Sequence, residues 1–146
     1  MAWLVAMLTG IRNKAIATLR WTPDPNGEHG HVELNKRVIH LPKMKNRLAR
    51  DIPVSEIVIA ALTAQKGKDP IHVFPSDVKE ATPIHRLPTL KTSRVHDTRH
   101  HFSTACGKIN LQSYIIAYLR GEKINADGHA MVAHYLGDVS DGEIVE

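Results

Sequence analysis

The sequence predicts a single α+β domain, mainly α, in which helices pack around a small three-stranded antiparallel sheet. Three observations carry this. The chain has 146 residues with 42% hydrophobic and 23% charged content, enough to bury one real core and little more. Apolar positions recur at helical spacing near both ends of the chain. Strict apolar-polar alternation is confined to a short central stretch, where a hairpin with a polar turn can form.

The elements follow in order. Leu4, Met7, Leu8 and Ile11 fall at helical spacing, and after a break at Gly10 a second helical stretch carries Ile16, Leu19 and Arg20 up to Trp21. Thr22-Pro23-Asp24-Pro25-Asn26-Gly27 can only be a turn or loop. His31-Val32-Glu33-Leu34 and Arg37-Val38-Ile39-His40-Leu41 alternate around Asn35-Lys36 and predict a β-hairpin. A basic, turn-like segment at 43–50 leads to a third short strand at Asp51-Ile52-Pro53-Val54, and Ser55 is placed to cap a helix over 56–64. Residues 66–93 hold four of the eight prolines and read as connection, with Ile71-His72-Val73-Phe74 able to pair briefly. Helices are expected at 95–106, 111–120 and 127–136.

Charge is unevenly spread. Against 19 Lys and Arg stand 15 acids, and five of those acids (Asp127, Asp138, Asp141, Glu143, Glu146) fall in the last 20 residues, which have no Lys or Arg. The remainder is strongly basic and suits a polyanionic partner such as nucleic acid. One cysteine, Cys106, excludes an internal disulfide framework and points to a reducing, cytoplasmic setting, where it serves as a small buried apolar residue. The apolar opening at 1–8 has no basic flank and is too short to span a membrane, so neither export nor a membrane role is expected.

Three segments carry chemistry: Thr9-Gly10-Ile11-Arg12, the basic Lys43-Met44-Lys45-Asn46 after a hairpin strand, and His96-Asp97-Thr98-Arg99-His100. Each is weak alone. In this order they resemble the catalytic domain of the tyrosine recombinases, the phage-integrase family. Thr9 to Arg12 matches its T-G-x-R turn, the run on to Leu19-Arg20-Trp21 matches without a gap, a small sheet with a lysine follows, and then comes H-D-x-R-H. The likeness covers about 135 residues. It implies an integrase-type catalytic domain over 1–146, with nothing corresponding to the amino-terminal core-binding domain. It implies double-stranded DNA as partner, self-association on that DNA, and no cofactor. The implied activity is DNA strand breakage and rejoining through a covalent 3′-phosphotyrosine in site-specific recombination or prophage integration.

The residue types suit that chemistry. A phosphodiester under attack gains charge on its non-bridging oxygens, which guanidinium groups match bidentately, so Arg12 and Arg99 form the expected clamp. A leaving 5′-oxygen needs a proton donor and an attacking hydroxyl an acceptor. By resemblance Lys45 is the donor, with Lys43 as a substitute, and His96 the acid/base. Lys43, Arg47 and Arg50 are expected on DNA, and Tyr114 and Tyr118 are read as helix packing residues.

The chain also departs from the pattern. Ala15 stands where the family places an acidic residue that holds the first arginine. Glu122 stands where a third phosphate-contacting imidazole or indole is usual, and a carboxylate there repels phosphate. Tyr135 becomes the nucleophile if a short insertion falls at Asn125-Ala126-Asp127-Gly128, which also lets His129 supply an imidazole. The rival alignment takes Leu136-Gly137-Asp138 as the preceding motif and sets the tyrosine beyond Glu146, which makes the chain a non-catalytic DNA-binding remnant. A third reading takes His96 and His100, one helical turn apart, as ligands of a zinc hydrolase.

Overall fold

The computed structural model describes residues 1–43, 49–77, 82–84, 87 and 97–122. Among them the chain forms α1 (Ala2–Thr9), α2 (Asn13–Ala17), β1 (His31–Glu33), β2 (Val38–Leu41), β3 (Arg50–Pro53), α3 (Glu56–Thr63), α4 (Asp97–Lys108) and α5 (Ser113–Arg120). The strands pair antiparallel in the order β1-β2-β3, as the α+β reading requires. The helix expected at 127–136 lies outside the described residues.

Alternation sorts the sheet. Val32 lies opposite Ile39 and Ile39 opposite Ile52, so three apolar side chains stack on one face and are 5%, 0% and 1% exposed. The other face takes His31, Glu33, His40 and Asp51. There the His31 and His40 rings stack at 4.5 Å, and His40 meets Asp51 through Nδ1 at 2.7 Å and Glu33 through Nε2 at 3.1 Å.

Helix α1 forms where the helical spacing predicts it and buries its smaller side chains. Its buried residues are Ala2, Val5, Ala6 and Thr9, whereas Leu4, Met7 and Leu8 are 38%, 37% and 41% exposed. The helix is apolar all round, so periodicity does not choose its inner face. Small side chains on the Ala2-Ala6 side let α3 and α4 approach closely, and that face wins.

The second helical stretch is also shorter than expected. Helix α2 stops at Ala17, where Thr18 returns its hydroxyl to the Lys14 carbonyl at 2.9 Å. Residues 19–21 then run extended between β1 and the 71–73 segment. Arg20 N–H donates to Gly30 O, its carbonyl accepts from Val32 N–H, Trp21 N–H donates to Ile71 O and Val73 N–H to Leu19 O, all at 2.9–3.0 Å. Backbone partners on both sides outweigh one more helical turn. The brief pairing expected at 71–74 is this contact, with Val73 and Phe74 buried behind it.

Helix α3 begins after Ser55 as expected, but the Ser55 hydroxyl makes no capping bond; Glu56 lies in its first turn, where an acidic side chain favours the helix dipole. Val58 and Leu62 of α3 join Val5, Ile11, Ile16, Leu19, Ile39, Ile52, Val73 and Leu87 in one core. Each fully buried branched side chain there contributes about 1.5–3 kcal/mol. Cys106 is buried on α4, and burial pushes its thiol above the usual value. No described helix is long and apolar enough to cross a membrane.

Candidate functional site

The Thr9-Gly10-Ile11-Arg12 turn is built by three local constraints. Thr9 Oγ1 donates to Val5 O at 2.7 Å and accepts from Ile11 N–H at 3.3 Å. Gly10 sits at φ 66°, where its N–H closes α1 on Ala6 O at 3.0 Å. That left-handed conformation favours glycine. A β-carbon at Gly10 would also lie 2.5 Å from Phe102 Cδ1, so α4 packs directly on the turn. The chain then leaves through buried Ile11 and exposes Arg12 at the start of α2.

Arg99 comes to this turn from α4, 89 residues away in sequence, and is only 4% exposed. Its Nη1 donates to Gly10 O at 2.8 Å and to Arg120 O at 2.9 Å. One guanidinium therefore ties the α1–α2 turn to the carboxyl end of α5. That end is a Schellman motif: Gly121, at φ 74°, donates to Tyr118 O at 2.9 Å, and Glu122 N–H donates to Ala117 O at 2.8 Å. Arg50, the first residue of β3, donates from Nη1 to Tyr118 O at 3.0 Å, its guanidinium carbon 5.9 Å from the Tyr118 ring centre. Two cations thus cap the negative end of the α5 dipole.

The reversal at Gly121 brings Glu122 back onto these arginines. Its Oε1 accepts from Arg99 Nη2 at 3.1 Å and forms an ion pair with Arg120 Nη2 at 2.9 Å. The carboxylate expected to repel phosphate is an ion-pair partner of Arg99.

Beside this junction opens a cleft of about 670 Å³, walled by α2, the 26–30 loop, the end of β2 and the end of α5. Among the described residues, Arg12, Lys14, Lys43, Arg50 and Arg120 line it against a single carboxylate, Glu28. Such walls concentrate positive potential and attract a polyanion. The structure thus brings Arg12, Lys43 and Arg50 to one cleft, with Arg99 behind its wall. Lys45, Arg47, His96, His129 and Tyr135 lie outside the described residues. His100 is exposed on α4, and Ala15 lines the cleft beside Arg12. Tyr118 packs against the core as expected, and burial raises its hydroxyl pKa.

Sequence reasoning missed Lys14 and Arg120. The signal for Arg120 was the Arg-Gly pair closing an amphipathic helix, because a basic last turn followed by glycine marks a helix end whose carbonyls need donors.

No protein-family model matches the chain, and comparison with curated proteins gives no match. A solved structure of the Tn1549 transposon integrase, in complex with transposon right end DNA, is similar to it with a TM-score of 0.58. The fold is integrase-like. Identity is 16%, over 93% of this chain and 58% of that one, so the chain spans little more than half of the integrase it matches. The small three-stranded antiparallel sheet and surrounding helices belong to that likeness.

Proposed function

We propose that the chain binds double-stranded DNA through the basic cleft and acts in DNA strand breakage and rejoining, the chemistry of the tyrosine recombinases that its motifs resemble. The observation that carries this reading is the convergence of Arg12, Lys43, Arg50 and Arg120 on one cleft, with Arg99 tied to the wall behind it. The fold of a transposon integrase bound to DNA supports it.

In this reading the tyrosine hydroxyl of Tyr135 attacks a backbone phosphorus, a bond forms from its oxygen to the 3′-phosphate, and the 5′-oxygen leaves with a proton from Lys45. His96 takes the hydroxyl proton, and Arg12 and Arg99 hold the non-bridging oxygens. His129 supplies a further imidazole, and Lys43, Arg47 and Arg50 position the duplex. A labelled nicked duplex tests this. Denaturing electrophoresis should show a covalent band that disappears in Tyr135→Phe and persists in Tyr114→Phe and Tyr118→Phe; no band from the native chain would refute the cleavage step.

One observation favours the second reading, a DNA-binding protein without cleavage: Glu122 pairs with Arg99, one of the two arginines proposed to hold the phosphate. That reading expects salt-sensitive DNA affinity with no covalent band.

A further inference from the structure

We propose that Arg99 and Arg120 together form a phosphodiester-binding site which Glu122 fills as an internal counter-ion, to be displaced when DNA binds. The inference rests on the DNA-binding reading and adds to it the pairing of Arg120 with Arg99 on one phosphate and a competitor, Glu122.

Convergence is the first ground. Nη2 of Arg99 and Nη2 of Arg120 reach the same atom, Glu122 Oε1, at 3.1 and 2.9 Å. Two guanidinium groups aimed at one oxygen make a phosphate site, since carboxylate and phosphate oxygens accept from guanidinium in the same way. The second ground is separability. Arg99 holds the fold through Nη1, which serves the Gly10 and Arg120 carbonyls, and meets Glu122 through Nη2. Glu122 can therefore leave without breaking the bonds that join the turn to α5.

Access completes the case. The Glu122 side chain is 36% exposed and that of Arg120 21%, against 5% for Arg99, so the carboxylate forms the solvent side of the cluster. Arg120 also lines the cleft, so a strand lying there would meet Arg120 first and Arg99 only where Glu122 is displaced.

The test measures affinity for a short duplex across a salt series, with thermal melting as the folding control. Removing the competing charge in Glu122→Gln should tighten binding roughly two- to fivefold, the upper part of the range for exposed ion pairs. It should also steepen the dependence of log affinity on log salt by up to about one unit, because no displaced carboxylate then takes up a counter-ion. Arg120→Gln should weaken native binding about threefold and, combined with Glu122→Gln, remove most of the gain. A folded Glu122→Gln variant that binds like the native chain, with the same slope, overturns the inference and leaves DNA binding standing. If Glu122→Gln fails to fold, Arg120→Gln decides: native affinity and slope there overturn it. No binding of the duplex by any form would refute the DNA reading itself.

Discussion

Replacing Arg99 by Ala should unfold this protein more readily as well as impair the proposed chemistry, and the two effects can be separated by measurement. Arg99 is 4% exposed and gives both Nη1 hydrogens to main-chain carbonyls, of which Gly10 O is buried and Arg120 O partly so. Truncation leaves those two acceptors unmatched and Glu122 with Arg120 alone. A buried acceptor that loses its donor costs about 1–3 kcal/mol, while the half-exposed Glu122 contact adds little. The sum is about 2–6 kcal/mol, spanning the range for breaking a buried charged contact. For a domain whose total stability is about 5–15 kcal/mol, that is a drop of roughly 6–20 °C in melting temperature. Arg12→Ala is the comparison: Arg12 is exposed, so its loss should change stability by no more than about 0.5 kcal/mol. Urea denaturation of both variants reads these values directly. An Arg99→Ala protein within 1 kcal/mol of native would refute the structural role assigned to its Nη1 bonds. Arg99→Lys should recover part of the loss, because one ammonium cannot span both carbonyls and Glu122.

The remaining expectations concern the turn, the cleft and the sheet. Gly10→Ala should cost about 2–4 kcal/mol by urea denaturation, from its left-handed φ of 66° and the 2.5 Å approach to Phe102, and the cost should shrink in a Phe102→Ala background. Lys14→Ala with Lys43→Ala should leave the melting temperature unchanged, since both side chains are exposed, yet lower the salt slope of DNA binding by up to about two units, equally for all sequences. Burial, and then the His40 ring beside it, hold the His31 pKa below its ordinary 6.5. The folded state therefore takes up a proton less readily than the unfolded chain, so the His31 contribution is present above that value and is lost as pH falls below it. A His31→Gln variant should show a flatter decline of denaturation midpoint between about pH 7 and 5.

Legibility in the sequence followed the local signals. The hairpin was readable because residues 31–34 and 37–41 alternate around Asn35-Lys36, whereas the third strand, expected at 51–54, falls at Arg50–Pro53, where its pairing with β2 stacks Ile52 on Ile39. The end of α1 was readable because Gly10 is the left-handed stop. The inner face of α1 was not, since a helix with Leu and Met on one side and Val and Ala on the other offers two apolar faces, and partner proximity decides between them. The extended run at 19–21 depends on partners at Gly30 and Ile71, which no local window contains. In the site, the Thr9 to Arg12 turn and Arg99 were found as separate motifs, and their junction through Gly10 O explains why they occur together. Glu122 was legible as a departure from the expected pattern, but its pairing with Arg99 was not, because it depends on the reversal at Gly121.

The α5 terminus makes structural and electrostatic roles inseparable in this cleft. Its last carbonyls need donors, and cations are the favourable ones at the negative end of the dipole. Arg50 and Arg99 answer that need from β3 and α4, so two positive charges are fixed beside the cleft by the same bonds that hold the layers together. Fixed charges lose little side-chain entropy when an anion arrives, unlike the exposed Lys14 and Lys43, which must be immobilised. The direction of approach is fixed too. With Arg99 Nη1 committed to Gly10 and Arg120, an anion arriving from the solvent side must meet Nη2, where Glu122 sits. Any phosphate held by Arg99 therefore competes with Glu122 before it experiences the full positive potential of the cleft.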